Sequence, residues 1–197
     1  MKRRALVTTL GAAALAAVPA GLRAAVADGD PWRALAGPGT ALLLRHAQTD
    51  PGIGDPPGFR LDDCSTQRNL SAAGRAQANR IGDALRARGL RFDDVLSSRW
   101  CRCLDTARLI GERLDPPAIA VQPFDPINSF FEDRRTEPQQ TAALRAHLAQ
   151  LGRRRVLMVT HMVNIAALAG TSVAMGEGVV VDAPGGRVRV RGRVRVD

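Results

Sequence analysis

Two short apolar runs that each end in histidine constrain this chain more than any other feature. "TALLLRH" (residues 40–46) and "RRRVLMVTH" (residues 153–161) both run from large apolar residues into a polar tip. Apolar runs without alternation are buried on both faces, as in the central strands of a parallel sheet. Helical patterns separate them. Ser71 N-caps "AAGRAQANRIGDALRARG", which Gly89 stops, and "RCLDTARLIGERL" is a second helix, closed by Pro116-Pro117. "TEPQQTAALRAHLAQLG" is a third, with Thr136 and Gln139 spaced as a capping box, and "VNIAALAG" a short fourth. "DDVLSS" and "AIAVQPF" read as further strands. Strands alternating with helices predict an α/β fold, a doubly wound three-layer sandwich on a mostly parallel sheet. His46 and His161 then sit on the carboxyl edge of that sheet, where sites in open α/β folds lie.

The tail "GRVRVRGRVRVD" alternates strictly, with valines on one face and arginines on the other. It reads as an edge strand whose arginines discourage further pairing; a basic stripe for anionic polymers is the competing reading. "TDPGIGDPPGFRLDDCSTQRN" is an ordered loop, since its Phe, Leu and Cys seek burial.

The 197 residues predict an export signal over 1–27 and a single domain over 28–197. "MKRR" is a basic n-region, an Ala-rich apolar stretch follows, and "AVA" (Ala25–Ala27) is an A-x-A cleavage site. The Arg3-Arg4 pair points towards the twin-arginine route, and the stretch is too weakly apolar for a membrane anchor. The protein is therefore expected outside the cytosol, periplasmic or secreted. A hydrophobic fraction of 45% supports a core and excludes global disorder. The formal charge of +9 comes from 27 Arg and one Lys, a skew assigned to genome composition rather than to a nucleic-acid surface. Without the leader the charge is +5, from 24 basic and 19 acidic residues. With no Tyr in the chain, a phenol is excluded as acid, base or nucleophile. Cys64, Cys101 and Cys103 allow one disulfide, from Cys64 to either of the others, and their spacing does not suit zinc.

An Arg-His pair at one strand end, Arg102 at a strand-to-helix turn and His161 at a second strand end suit phosphoryl transfer. That reaction needs a neutral imidazole nucleophile, cations around the equatorial oxygens and an acid for the leaving group. Arginine serves better than lysine because its planar fork binds two oxygens at once. The neighbouring arginines are expected to hold His46 neutral.

At these residues the chain resembles the histidine phosphatase superfamily, the phosphoglycerate mutase-like fold. "LLLRHAQT" resembles its strand followed by R-H-[GA]-x-[ST], and "NLSAAGRAQA" its L-[ST]-x-x-G-x-x-Q-A helix start. "VLSSRWCRCLDTA" resembles S-S-x-x-x-R-x-x-x-T-A, and "VLMVTHMVNI" the strand delivering the second histidine. The resemblance implies His46 as the phosphorylated nucleophile, with Arg45, Arg102 and His161 around the phosphate and no metal or other cofactor. Two departures stand out. Gly52 occupies the position of an Asn in mutase-type members, which argues against a phosphomutase. Ser129 aligns with the usual acid–base carboxylate, so the general acid is sought among Asp125, Glu132 and Asp133, with Glu132 the choice over its reading as a solvated loop charge.

Thr49, Arg68, Arg99 and Asn164 are the candidate substrate contacts. For Arg68 the competing role is a loop salt bridge, for Arg99 solvation, and for Asn164 capping of the short helix. Glu177 is a turn charge or an orienter of a histidine, and His147 a surface residue. The reading is an exported phosphatase acting through a phosphohistidine on a phosphorylated small molecule, glycolipid or protein, without nucleic acid or stable membrane insertion. Fewer residues than a lid needs separate Pro116 from Thr136, which predicts an open site. The rival reading keeps the pocket but not turnover: a phosphate-recognition protein of the cell envelope.

Overall fold

The computed structural model describes residues 30–116 and 120–196. The leader expected over 1–27, and part of the segment read as "AIAVQPF", lie outside the described residues. The elements run α1 (Pro31–Ala36), β1 (Thr40–Arg45), α2 (Ala72–Ala87), β2 (Asp94–Ser97), α3 (Cys101–Gly111) and β3 (Val121–Pro123). They continue with α4 (Glu137–Ala149), β4 (Val156–Thr160), α5 (Met162–Ala169), β5 (Gly178–Asp182) and β6 (Arg189–Val194).

The six strands form one sheet in the order β3-β2-β4-β1-β5-β6. β3, β2, β4 and β1 pair in parallel, whereas β5 runs antiparallel to β1 and to β6. The two histidine-tipped runs, β1 and β4, are thus neighbours, with Leu43 opposite Met158 and Arg45 opposite Thr160. Their unbroken apolar character follows from burial on both sides. Leu42, Leu44, Leu157 and Val159 face a core shared with Leu35, Ile81 and Ile110 from α1, α2 and α3. Ala41, Leu43, Val156 and Met158 face a second core with Leu144 of α4 and Ile165 of α5. This is the expected three-layer, doubly wound architecture.

α1 and β5 were not anticipated. β5 is the run "GVVVD", too short and too uniformly apolar to reveal its period. β6 is the expected edge strand, but its valines do not share one face: a register shift opposite Val180–Val181 turns Val190 into the second core and Val194 into the first, while Arg189 and Arg191 pair with Asp182. The second helix ends at Gly111, earlier than Pro116. The capping box at Thr136 does not form. Its hydroxyl bonds Asp133 and Gln140 instead, because a 3₁₀ turn over Arg134–Thr136 leads into α4.

α2 explains its own motif. Ser71 Oγ accepts from Gly74 N at 3.0 Å, capping the helix. A Cβ on Gly74 would stand 1.8 Å from the Gln48 carbonyl oxygen, so only glycine lets α2 press against the chain just beyond His46. Gln77 then spans two segments, accepting from Gln48 N and donating to the Met175 carbonyl. We expect Gly74→Ala to lower the unfolding free energy in urea by about 3 kcal/mol, since rigid backbone must move to admit the methyl. A loss below about 0.5 kcal/mol, the range of neutral surface changes, contradicts this packing.

Candidate active site

β1 delivers His46 and β4 delivers His161, and their rings meet edge-on with centroids 5.5 Å apart. Both rings are buried. His46 is held at four points: its N–H donates to Thr160 O, its carbonyl accepts from Gly176 N, the next amide (Ala47 N) donates to Thr106 Oγ1, and its ring Nδ1 bonds Ala47 O at 2.9 Å. A carbonyl only accepts, so Nδ1 carries the proton and Nε2 keeps the lone pair. Thr106 of the α3 motif therefore braces the His46 segment, and its own hydroxyl donates to Arg102 O at 2.7 Å.

Burial first, then Arg102, Arg45 and Arg68, push the His46 pKa down to about 3. The expected neutral imidazole is present, but the ranking of causes is corrected: the apolar surroundings outweigh the arginines. Burial also holds His161 well below its usual value, with the charges of His46, Arg102 and Arg45 adding to it. In the unfolded chain both rings protonate below pH 6.5, whereas in the fold they do not. The unfolded state then binds more protons as pH falls from 6.5 towards 3, so stability falls with pH across that window. Urea unfolding should show a slope of up to ~1.4 kcal/mol per pH unit for each histidine. A flat profile between pH 6.5 and 4 overturns the assignment.

His161 Nε2 lies 2.8 Å from Ser98 Oγ and 3.4 Å from the Cys103 thiol. Ser98 also donates to Asn128 Oδ1, so the β2 tip fixes the second histidine. Asn128 is tied in turn by Asn164, whose Nδ2 donates to its carbonyl.

Arg45, Arg68 and Arg102 line the cavity holding His46 and His161. Arg45 Nη1 donates to Val173 O, and Arg68 donates to Gly54 O and to Thr49 Oγ1. Burial, followed by repulsion from the neighbouring guanidiniums, lowers the pKa of both Arg45 and Arg68. Arg45 Nε and Arg102 Nε are buried without a hydrogen-bond partner. Cations crowded together with N–H groups left unmet are the signature of an anion site.

Asp55 escaped the sequence reading. Its carboxylate is 3% exposed, accepts from Arg102 Nη1 at 2.7 Å and also takes the Arg68 amide and Trp100 Nε1. Burial raises its pKa, but the Arg102 bond, the Arg68 amide and the Trp100 donor outweigh that and hold it low. An ionised carboxylate clamped this way orients Arg102 and is no proton donor. Of the three carboxylates weighed as general acid, Glu132 lines the cavity. Asp125 sits on the exposed side with Arg99, and Asp133 caps the turn before α4 and pairs with Arg135.

Three expected substrate contacts are corrected. Arg99 lies outside the cavity, its side chain half exposed and 2.5 Å from Asp125. Thr49 is buried beneath Arg68 and supports it. Asn164 neither lines the cavity nor caps α5, because it reaches back to the Asn128 loop. Arg68 does line the cavity. Glu177 is a turn charge, accepting from Ala174 N. His147 is half-buried against Phe124 at 4.7 Å, not a surface group.

The open disulfide choice resolves to Cys64–Cys101, with Cα atoms 5.7 Å apart, leaving Cys103 a buried thiol. That bond ties the loop carrying Gln67 and Arg68 to the residue before Arg102. Gln67 Oε1 reinforces it by accepting from Cys101 N. Among the described residues no three His, Cys, Asp or Glu side chains cluster as a metal site, and no helix is long and apolar enough to cross a membrane.

Comparison with known proteins agrees with the resemblance read from the motifs. Residues 41–128 match the family described as the histidine phosphatase superfamily (branch 1). A broad-specificity phosphatase of Saccharomyces cerevisiae is 30% identical over 69 residues, 35% of this chain and 28% of that protein. The chain thus spans less than a third of that relative's length. The protein histidine phosphatase SixA, solved with tungstate, superposes with a TM-score of 0.60 at 15% identity, over 79% of this chain and 96% of that one. The phosphoserine phosphatase of Entamoeba histolytica, solved with 3-phosphoglyceric acid, gives 0.59 at 14% identity over 80% and 98%. At those identities the likeness is one of fold.

Proposed function

From the histidine phosphatase superfamily match, we propose that this chain hydrolyses a phosphomonoester, or a similar phosphoryl group, in two steps through a phosphohistidine. The observation that carries the reading is the neutral His46 ring, its Nδ1 committed to Ala47 O, in a cavity lined by three guanidiniums. His46 Nε2 attacks phosphorus, the P–O bond to the leaving group breaks, and Glu132 gives that oxygen a proton. Water then attacks the phosphorus, its proton passes to Glu132, and the P–N bond breaks to free phosphate and the neutral ring. Arg45, Arg68 and Arg102 stabilise the oxygens through both steps, and His161, whose Nε2–H is spent on Ser98, lines the cavity beside them. The reading extends to export, from the leader over residues 1–27.

A second reading rests on Asp55. With its carboxylate on Arg102, a site that binds phosphate without turnover would look the same. Release of phosphate from p-nitrophenyl phosphate separates the two, since that leaving group needs little acid help. The enzyme should also yield an acid-labile, base-stable phosphoprotein after a brief pulse of labelled substrate. No release from any member of a broad phosphorylated panel ends the enzyme reading.

A further inference from the structure

Large hydrophobic side chains seldom stand exposed without a use when they cluster at a cavity mouth. Among the described residues the exposed ones are Ile53 at 90%, Phe131 at 48% and Leu61 at 39%. Ile53 and Phe131 both line the cavity of His46. They come from different loops, after β1 and before α4, that face each other: a Cβ on Gly54 would lie 3.8 Å from the Phe131 ring and 3.1 Å from Glu132 Oε1. Met162 and Val163 add apolar surface from the first turn of α5.

The polar groups are distributed differently. Arg102 lies deep, shared with Asp55, whereas Arg68 is half-buried and bonds Thr49 and Gly54. Beside the apolar pair the loop before α4 adds the Glu132 carboxylate. The cavity of about 180 Å³ has room for a phosphoryl group and a few further atoms, so the rest of a substrate lies across this rim. A leaving group rich in hydroxyls sets them against Ile53 and Phe131 without partners.

We propose that the substrate is a phosphomonoester whose leaving group is apolar next to the ester oxygen, gripped between Ile53 and Phe131 with its oxygen towards Glu132. This rests on the phosphatase reading of the same site. Two sources share that chemistry, an alkyl or acyl chain and an aromatic ring. kcat/KM should therefore be compared for hexyl phosphate, 2-phenylethyl phosphate and glycerol 2-phosphate, all esters of alkyl alcohols. The apolar esters are expected to exceed glycerol 2-phosphate by about tenfold or more. A lead for the hexyl ester identifies a chain, and a lead for the phenylethyl ester identifies a ring.

In the double variant Ile53→Ser, Phe131→Ser that ratio should collapse towards one; being a ratio, it is insensitive to a general loss of activity. Equal rates, or glycerol 2-phosphate ahead, while p-nitrophenyl phosphate is still hydrolysed, overturns the preference and leaves the phosphatase reading standing. An apolar preference unchanged in the double variant overturns the assignment to these two residues. No release from any ester, p-nitrophenyl phosphate included, overturns both.

Discussion

His46→Ala is expected to lower kcat for phosphate release by about 10⁴-fold or more, the cost of losing the nucleophile from a group that acts as a unit. The loss should appear in kcat rather than in the binding of phosphate, because Arg45, Arg68 and Arg102 remain in the cavity. No labelled phosphoprotein should form. Thermal melting and phosphate calorimetry on the same variant establish that the fold and the anion site survive. Residual activity within tenfold of the parent would place the nucleophile elsewhere.

Arg102→Ala carries the largest expected cost in stability. The Arg102–Asp55 pair is 5% and 3% exposed, so removing the guanidinium strands a buried carboxylate with only the Arg68 amide and Trp100 Nε1 as donors. Breaking one side of such a pair costs about 3 kcal/mol or more. Adding Asp55→Ala removes the stranded charge, so the double variant should recover much of the lost stability in urea unfolding. Activity should not recover, because the phosphate clamp is still missing. If the single and double variants unfold alike, the two side chains are not coupled; if the double variant regains activity, Arg102 is not a clamp.

The sequence carried the parts of the site that obey a spacing. Two strand tips placed His46 and His161, and the motif leading into α3 placed Arg102. Ser71, Gly74 and Gln77 announced the α2 start, although their purpose emerged only in three dimensions: a cap, a close approach to Gln48, and a bridge from Gln48 to Met175. Asp55 obeys no spacing. It sits between glycine and proline in an irregular loop, where neither period nor propensity distinguishes a buried carboxylate from a solvated one. The choice between Cys101 and Cys103 was equally hidden, since residues two apart on a helix point to opposite sides. Cys103 turns into the core and Cys101 towards the loop. Arg99 and Asn164 failed for a related reason. Nearness in sequence to Arg102 and His161 says nothing about which way a side chain leaves the backbone.

The bracing of His46 has a kinetic consequence. Its amide, its carbonyl and the amide that follows are held by three different stretches of chain, at residues 160, 176 and 106. No local fragment can assemble that arrangement, and contacts so distant along the chain close late in folding. During refolding, turnover should lag behind the return of helical signal and coincide with the last cooperative step. Catalysis then works as a clock for completion of the whole topology, and a partly folded chain that already has its secondary structure stays silent.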